Sequence, residues 1–329
     1  MKVLITGGCG FIGFNFIQYL HTKNTESIEI VVLDSLTSNT SKQNLKLLSD
    51  KVNFIHSDIN NIENYSEILH DTDVVFNFAA ETHVDNSIFD PNSFIKSNVL
   101  GLSSLLQECL KNNINEFVHI STDEVYGSSN EKYFIESDKL NPSSPYSASK
   151  ASAEMICNSF SRTYGYNIKI VRPANNYGTY QQPEKLIPFS VANLLSGENI
   201  EIYGDGSNIR HWLHVEDTCE GIYTIFKDGE NGEVYNIGSN QYFSNIDLMK
   251  LLVETLSLSE DRIEFVKDRP GHDFRYAINI DKLLDLGWKP RKDINNELEA
   301  TVKWYVENKE WWLTSYQEII TKRKKRFGL

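Results

Sequence analysis

Three regularly spaced glycines follow the first apolar run of the chain and strongly limit how it can fold. The run KVLIT leads into GGCGFIG, which places Gly7, Gly10 and Gly13 in a G-x-x-G-x-x-G pattern ahead of a helical pattern. Such glycines permit a tight strand-to-helix turn and let the backbone approach a pyrophosphate, which the helix N-terminus then stabilises. The sequence therefore predicts a dinucleotide-binding turn.

The second apolar run, IEIVVLD, ends in a carboxylate, Asp34, which lies 21 residues after Gly13. A carboxylate at this position binds both hydroxyls of an adenosine ribose and repels a 2′-phosphate. The sequence thus predicts NAD rather than NADP as the cofactor. The alternative role for Asp34 is a helix cap.

Short apolar runs alternate with longer helical patterns over the first half of the chain. The runs KVLIT, IEIVVLD, VNFIHSD, DVVFNFAA, FVHIST and IKIVRP are typical of strands buried on both faces. Helical spacing occurs in GFNFIQYLHTK, in FIKSNVLGLSSLLQECLKN and from Ala148 to Tyr164. This order predicts an α/β fold with a doubly wound parallel sheet covered by helices.

The regular alternation of strand and helix patterns becomes less clear after about Asn175. The segments there are shorter and mix the two patterns: LIPFSVANLLSG, IEIYGDG, EVYNIGS and NIDLMKLLVETL. We therefore expect a dinucleotide-binding domain over residues 1–175. A smaller α/β domain should follow over residues 176–329, with some segments returning to the first domain.

Charge, hydropathy and cysteine usage exclude several classes of protein. The 329 residues carry a formal net charge of -13, which argues against a nucleic-acid partner. No apolar run approaches the roughly 18 residues of a membrane span. The four cysteines are scattered and have no metal-ligand spacing, so we expect no metal and reduced thiols in a cytoplasmic protein.

Two neighbouring carboxylates, Asp123 and Glu124, follow the apolar run EFVHI in the sequence STDEVYG. Adjacent carboxylates repel each other and are costly to bury, so a solvated loop is the alternative unless the chemistry uses them. Ligands of parallel α/β sheets bind beyond the carboxyl ends of the strands, where this pair falls. Adjacent like charges can keep one carboxyl protonated and its neighbour ionised, which suits an acid and a base.

The sequence YSASK places Tyr146 and Lys150 four residues apart, and on a helix they share a face. A neighbouring ammonium lowers the pKa of a phenol from about 10 toward neutrality. We therefore predict that Tyr146 is a catalytic base.

Taken together, TGGCGFIG, STDEVYG and YSASK resemble the extended short-chain dehydrogenase/reductase superfamily. With AAETHVDNSI, NNYGTYQQPEKLIP, GDGSNIRHWLHVED and DRPGHDFRYAI, the chain resembles nucleotide-sugar 4,6-dehydratases of the dTDP-glucose type, nearly end to end. Related epimerases and decarboxylases usually lack the adjacent Asp-Glu. The resemblance implies a Rossmann fold, bound NAD, and dehydration of dTDP-glucose to dTDP-4-keto-6-deoxyglucose for deoxysugar biosynthesis.

The resemblance also implies a catalytic role for each of five residues. Tyr146, supported by Lys150, would take the C4 hydroxyl proton while hydride leaves for NAD, and Thr122 would hydrogen-bond that oxygen. Glu124 would then remove the C5 proton, and protonated Asp123 would deliver a proton to the departing C6 hydroxyl.

Two sets of binding residues are implied by the same resemblance. The cofactor set surrounds the glycine turn and the later strand ends: Gly7, Gly10, Phe11, Ile12, Gly13, Asp34, Ser35, Thr37, Asp58, Ile59, Ala79, Ala80, Ser97, Tyr146, Lys150 and Asn176. The substrate set belongs to the nucleotide sugar: Thr82, Thr122, Asn175, Lys185, Leu186, Arg210, Gln241, Asp268 and His272. Taken singly, the charged members could equally be surface residues.

Departures from the family pattern leave the nucleotide open. Thr82 and Asn86 stand where the family usually has Ser and Arg, VRPANNYG replaces the common CSNNYG ending, and Gln241 stands in place of Asn. UDP-glucose is therefore an alternative substrate to dTDP-glucose. A UDP-sugar 4-epimerase or decarboxylase is disfavoured by the Asp-Glu pair, and a dinucleotide-sensing regulator by the intact Tyr146 and Lys150.

The helices around Phe94 to Lys111 and Ala148 to Tyr164 carry apolar residues on more than one face. A helix buried between its sheet and a partner subunit needs two such faces, so we predict a homodimer. The alternative is a covering loop. The family's four-helix dimer contact is consistent with the prediction.

Overall fold

The computed structural model describes residues 1–23, 28–129 and 131–327, with the backbone only from 325 onward. The strands are β1 Lys2–Thr6, β2 Glu29–Asp34, β3 Asn53–His56, β4 Val74–Asn77, β5 Glu116–Ile120, β6 Ile168–Pro173, β7 Asn175–Tyr177, β8 Ile200–Tyr203, β9 Ile209–His214, β10 Val234–Ile237, β11 Tyr242–Ser244 and β12 Ile263–Val266. The helices are α1 Phe11–Thr22, α2 Asn39–Leu48, α3 Val84–Phe89, α4 Pro91–Ile95, α5 Leu102–Lys111, α6 Pro145–Tyr164, α7 Leu186–Leu195, α8 Val215–Asp228, α9 Asn245–Thr255, α10 Asp281–Leu284, α11 Ile294–Glu307 and α12 Lys309–Phe327. Each helix of these described ranges is too short or too polar to span a bilayer.

Seven strands form a wholly parallel sheet in the order β10-β6-β5-β4-β1-β2-β3. From β1 the chain moves outward through β2 to β3, then returns to place β4 on the other side of β1. The carboxyl ends of β1 and β4 therefore flank the point at which the strand order reverses, where ligands of such sheets bind. The predicted doubly wound α/β fold is confirmed.

The buried strands follow from the apolar runs of the sequence, with one exception. β1, β2, β4, β5 and β6 are buried over nearly their whole length. β3 is half-exposed or exposed at every residue. The prediction that all six runs are buried on both faces is wrong for β3, because this strand lies at the edge of the sheet.

Segments beyond residue 175 build two small sheets and also complete the large one. In the first small sheet, β9 pairs with β7 in parallel and with β11 antiparallel, and in the second, β8 pairs with β12 in parallel. β10 adds to the seven-stranded sheet beside β6, although it lies far along the chain. The division into residues 1–175 and 176–329 stays a prediction.

Helix α6 begins and ends where its sequence requires. Ser144 and Ser147 form a reciprocal capping box, Pro145 occupies the first turn, and Gly165 ends the helix with a φ of 66°. This sharp start places Tyr146 in the first turn, directly opposite the carboxyl end of β5. Lys150 follows one turn later on the same face.

Candidate active site

A cleft of about 680 Å³ lies at the carboxyl ends of the central strands. All five predicted catalytic residues line it: Thr122, Asp123, Glu124, Tyr146 and Lys150. Every residue predicted to bind the cofactor lines it as well. One cavity thus brings together the glycine turn, the strand end with its two carboxylates and the start of α6.

The glycine turn is closed so tightly that side chains are excluded. A Cβ on Gly7, whose φ is +66°, would lie 2.6 Å from the backbone nitrogen of Ala79, and one on Gly13 would lie 2.5 Å from the carbonyl oxygen of Gly7. Helix α1 starts after Gly10 without a side-chain cap. Its first backbone N–H groups therefore face the cleft and fit a pyrophosphate.

Asp34 lies at the end of β2 and is held by two backbone donors. Its Oδ2 accepts from Cys9 N at 3.0 Å and its Oδ1 from Leu36 N at 2.8 Å. Burial raises the pKa of Asp34, and these two hydrogen bonds lower it. An ionised carboxylate has about four acceptor sites, so two remain for ribose hydroxyls, as NAD requires. The alternative of a helix cap is not observed, because α2 is capped by Ser38.

The C-terminal helix contributes a wall of the cleft that no sequence motif indicated. Four residues of α12 line the cavity: Ser315, Glu318, Ile319 and Lys322. Thr40 N donates to Ser315 Oγ at 3.2 Å, and Asn39 Nδ2 donates to Glu318 Oε1 at 2.6 Å. The wall therefore stands beside α2, on the same side of the cleft as Asp34.

Asp123 is buried, and its two oxygens have unequal surroundings. Thr122 Oγ1 donates to Oδ1 at 3.4 Å, whereas Oδ2 has no hydrogen-bond partner among the described residues. Burial raises the pKa of Asp123 well above its usual value, the charge of Glu124 raises it further, and Arg210 lowers it. Asp123 is thus suited to remain protonated near neutral pH and to donate a proton.

Glu124 is partly exposed to the cleft and faces three cations. The pKa of Glu124 is raised by burial, with a small further increase from Asp273, and the charges of Arg269, Lys185 and Arg210 offset this only in part. These cations favour the ionised form of Glu124. The environments of the two carboxyl groups therefore separate an acid from a base.

Tyr146 and Lys150 line the cleft together, but the expected effect of one on the other is not found. Lys150 Nζ donates to the carbonyl of Ile120 at 2.6 Å, and burial lowers the pKa of Lys150 to about 8. Burial raises the pKa of Tyr146, the charges of Glu124 and Asp123 raise it further, and a hydrogen bond with Thr122 lowers it. The predicted shift of the phenol toward neutrality is outweighed by burial and the two carboxylates.

The predicted substrate residues fall into two groups. Thr82, Thr122, Asn175, Lys185 and Leu186 line the cleft, and Arg210, Gln241, Asp268 and His272 do not. The side-chain oxygens of Asn175 and Asn176 are buried without a partner among the described residues, so both amides can accept from a ligand. Lys185 Nζ donates to Thr82 O at 2.6 Å, which ties the two sides of the cleft together.

The four residues outside the cleft have other partners. Gln241 donates to Lys292 O at 2.8 Å and accepts from Ile294 N at 2.5 Å, so backbone groups occupy both ends of its amide. The remaining contacts are local: Asp268 pairs with His272 at 2.7 Å, and Arg210 donates to Asp273 O at 3.0 Å. Their roles toward a substrate stay predictions.

Arg269 is a nearby cation that sequence reasoning missed. It pairs with Asp85 at 2.9 Å and is one of the charges that lower the pKa of Glu124. It lies next to Asp268 in DRPGHD, so the motif that pointed to Asp268 and His272 could have identified it.

The fold and the cleft define the class of protein. A doubly wound parallel sheet, a glycine turn and a Thr–Tyr–Lys set at its carboxyl edge are the features of an extended short-chain dehydrogenase/reductase. The family model described as GDP-mannose 4,6 dehydratase matches residues 4–301. The chain belongs to this family of nucleotide-sugar dehydratases.

Relatives extend over nearly the whole chain. It is 44% identical over 312 residues to the low-salt glycan biosynthesis protein Agl12 of Haloferax volcanii, covering 94% of this chain and 100% of the relative. It is 42% identical over 317 residues to a dTDP-glucose 4,6-dehydratase of Streptomyces antibioticus, covering 95% and 94%. A crystal structure of DesIV (dTDP-glucose 4,6-dehydratase) from Streptomyces venezuelae with NAD and TYD bound matches with a TM-score of 0.92 and 40% identity, covering 95% of this chain and 99% of that one. The resemblance to dTDP-glucose 4,6-dehydratases is confirmed.

The position of Asp34 generates a prediction about cofactor choice. Asp34→Ala removes the acceptors for the ribose hydroxyls and the repulsion of a 2′-phosphate, so NAD should bind about 10- to 100-fold more weakly and NADP more tightly. Calorimetric titration of both cofactors measures the change. Asp71→Ala, which removes an exposed carboxylate far from the cleft, is the control. Wild-type preference for NADP would contradict the assignment.

Proposed function

We propose that the chain dehydrates dTDP-glucose to dTDP-4-keto-6-deoxyglucose, a step of deoxysugar biosynthesis, with NAD as its resident cofactor. The observation that carries this proposal is the Asp123–Glu124 pair beside Thr122 and Tyr146 in one cleft. An enzyme that only oxidises and reduces C4 needs no further acid and base. Elimination of water across C5 and C6 needs both. The relatives that bear the name dTDP-glucose 4,6-dehydratase support the choice of nucleotide.

The first half of the reaction needs a base at the C4 hydroxyl. NAD, when bound at the glycine turn, would accept hydride from C4 and later return it to C6. Tyr146 takes the hydroxyl proton, and Thr122 hydrogen-bonds the same oxygen. Lys150 lies one helical turn from Tyr146 on the same face of α6, and its Nζ is held by the carbonyl of Ile120 at 2.6 Å, so its role is to support Tyr146 at the C4 hydroxyl.

The second half uses the two carboxyl groups in different protonation states. The C4 ketone acidifies the C5 hydrogen, which ionised Glu124 removes as a proton. Asp123 gives its proton to the departing C6 hydroxyl, so that water leaves and a C5–C6 double bond forms. Glu124 ends protonated and Asp123 ionised. Once C6 has received hydride, Glu124 returns its proton to C5. Tyr146 releases the proton that it took to solvent, and Asp123 regains one from solvent, so all three groups are reset.

Local cations fit the diphosphate of such a substrate. The chain as a whole carries -13, so an anionic ligand depends on positive groups within the site. Lys185 lines the cleft, and Arg210 and Arg269 lie outside its lining but near enough to lower the pKa of Glu124. UDP-glucose has the same diphosphate and remains the alternative substrate.

Product mass tests the proposed function. The protein is incubated separately with dTDP-glucose, UDP-glucose and GDP-mannose, and the products are weighed by mass spectrometry. Loss of one water from dTDP-glucose is the expected result, and preferential loss from UDP-glucose would move the assignment to that nucleotide. Unchanged mass in all three would overturn the dehydratase proposal. In a fourth incubation, with a UDP-uronate, loss of carbon dioxide would indicate a decarboxylase.

We infer in addition a cytoplasmic location and a homodimer. All four cysteines are free and buried, which fits a reducing compartment. Large apolar side chains stay exposed on α6 and on the segment packed against it: Ile95 (43%) of α4, Leu100 (58%) of the π-helical stretch Lys96–Gly101 and Met155 (52%) of α6. A second copy of the chain that packs against this face would bury them.

Glu124→Gln should separate oxidation from elimination. The variant keeps the shape of the side chain but lacks the base, so dehydration should fall by about two to four orders of magnitude. The C4 ketone should still form, visible as reduced cofactor, and no deuterium from solvent should appear at C5. Loss of oxidation as well, in a folded variant that binds the sugar nucleotide, would contradict this division of labour.

Asp123→Asn is the complementary variant. It lacks the proton donor but keeps Glu124, so dehydration should again fall by about two to four orders of magnitude. Deuterium should still enter at C5, because proton removal there does not need Asp123. Absence of exchange at C5 would contradict the separate roles.

Leu100→Glu should turn a dimer into a monomer. A charge at the centre of the proposed apolar interface would be costly to bury, so light scattering should give the mass of one chain instead of two. Phe265→Glu is the matched control, because Phe265 is equally exposed (58%) on β12. A monomeric wild-type protein at micromolar concentration would contradict the proposal.

A further inference from the structure

A buried ion pair lies beneath the catalytic residues and outside the cleft. Glu154 of α6 and Arg172 of β6 have side chains that are 0% and 4% exposed. Arg172 Nη2 donates to Glu154 Oε2 at 2.6 Å, and Arg172 Nε lies 3.0 and 3.1 Å from the two carboxylate oxygens. Neither residue lines the cavity, so neither can contact the substrate directly.

The ion pair holds the catalytic segment on both sides. Ser121, the residue before Thr122, donates from Oγ to Glu154 Oε1 at 2.5 Å. Tyr126, two residues after Glu124, accepts at its hydroxyl from Arg172 Nη1 at 2.5 Å. The three catalytic residues of this segment thus lie between two buried attachments to the same ion pair.

Further contacts fix the attachment at Tyr126. Its hydroxyl donates to Asn236 Oδ1 of β10 at 2.8 Å, and its ring stacks on Phe134 with centroids 4.9 Å apart. Arg172 Nη1 also donates to the carbonyl of Glu136 at 3.1 Å. Because buried polar groups are costly to leave unpaired, this network admits few other arrangements.

The same ion pair also reaches the other half of the catalytic set. Glu154 lies one helical turn after Lys150 on α6, which carries Tyr146 in its first turn. The charge of Glu154 raises the pKa of Lys150 against the effect of burial. Glu154 therefore interacts with both halves of the catalytic set. It accepts a hydrogen bond from Ser121 at the end of β5, and its charge acts on Lys150 of α6.

We propose that Glu154 and Arg172 are positioning residues that set the catalytic segment 121–126 in register with Tyr146 and Lys150. This inference rests on the proposed function for its kinetic part, but its structural part does not. A displacement of about 1 Å between reacting groups can cost about 10²-fold in rate, so such a device has a measurable effect.

Two conservative variants release one attachment each and leave the ion pair itself paired. Ser121→Ala frees the end of the segment next to Thr122, so formation of reduced cofactor on mixing with dTDP-glucose should slow, and C5 exchange, which needs the C4 ketone, should slow by the same factor. Tyr126→Phe frees the end next to Glu124, so C5 exchange should slow more than formation of reduced cofactor. In each, kcat should fall about 10- to 100-fold with KM changed less than about twofold.

Lys169→Met is the matched control on the same strand. Lys169 pairs with Glu116 at 2.5 Å, is equally buried at 4% exposure, and lies at the amino end of β6, away from the cleft. Lys169→Met should lower the melting temperature without changing kcat, KM or the ratio of cofactor reduction to C5 exchange. If Lys169→Met lowers kcat as much as the two test variants, loss of stability explains the effect and the positioning proposal is overturned.

Amide hydrogen exchange tests the attachment without any substrate. The peptide that covers residues 121–127 should exchange at least about tenfold faster in Tyr126→Phe than in the wild type, while peptides of β1 and β2 stay unchanged. Unchanged exchange of this peptide in both variants would overturn the proposal. If the wild type turns over no nucleotide sugar but the exchange result holds, the proposed function fails and the positioning role stands.

Discussion

Asp123 and Glu124 bring two adjacent carboxyl groups into a cleft where neither is fully solvated. Their mutual repulsion and the loss of hydration together favour a single negative charge on the pair. Asp123 takes the neutral form because it is the more deeply buried of the two. Burial raises the pKa of Glu124 as well, but Arg269, Lys185 and Arg210 act against it, so Glu124 is the group that takes the charge. These cations are therefore needed for the same reason that one carboxyl acts as the acid and the other as the base: the buried pair carries only one negative charge.

The parts of this arrangement that depend on short stretches of sequence could be predicted. Gly7 and Gly13 exclude every other residue at their positions, and the buried parallel strands need long apolar runs. Asp123 and Glu124 are informative because a pair of carboxylates at a strand end has no structural explanation. In each case, the residue type is unfavourable at most other positions, so its presence indicates one particular structural or chemical role.

The parts that depend on contacts between distant segments could not be predicted in this way. Glu154 and Arg172 are unremarkable within α6 and β6, and only the pairing of these elements brings them together. The exposure of β3 follows from its place at the sheet edge, and the runs of the sequence do not encode strand order. The pKa of Tyr146 depends on how deeply it is buried and on Asp123 and Glu124, which its own motif does not contain.

The wall that α12 adds to the cleft has a consequence for the order in which the protein is made. Thr40 and Ser315 are 275 residues apart, and their hydrogen bond joins α2 to α12. The glycine turn and Asp34 therefore leave the ribosome long before the segment that closes their side of the cavity. Until α12 docks, the nascent chain presents an open groove to dinucleotide in solution. Docking of α12 is thus the event that closes this side of the cleft, and a segment synthesised late acts on one synthesised early.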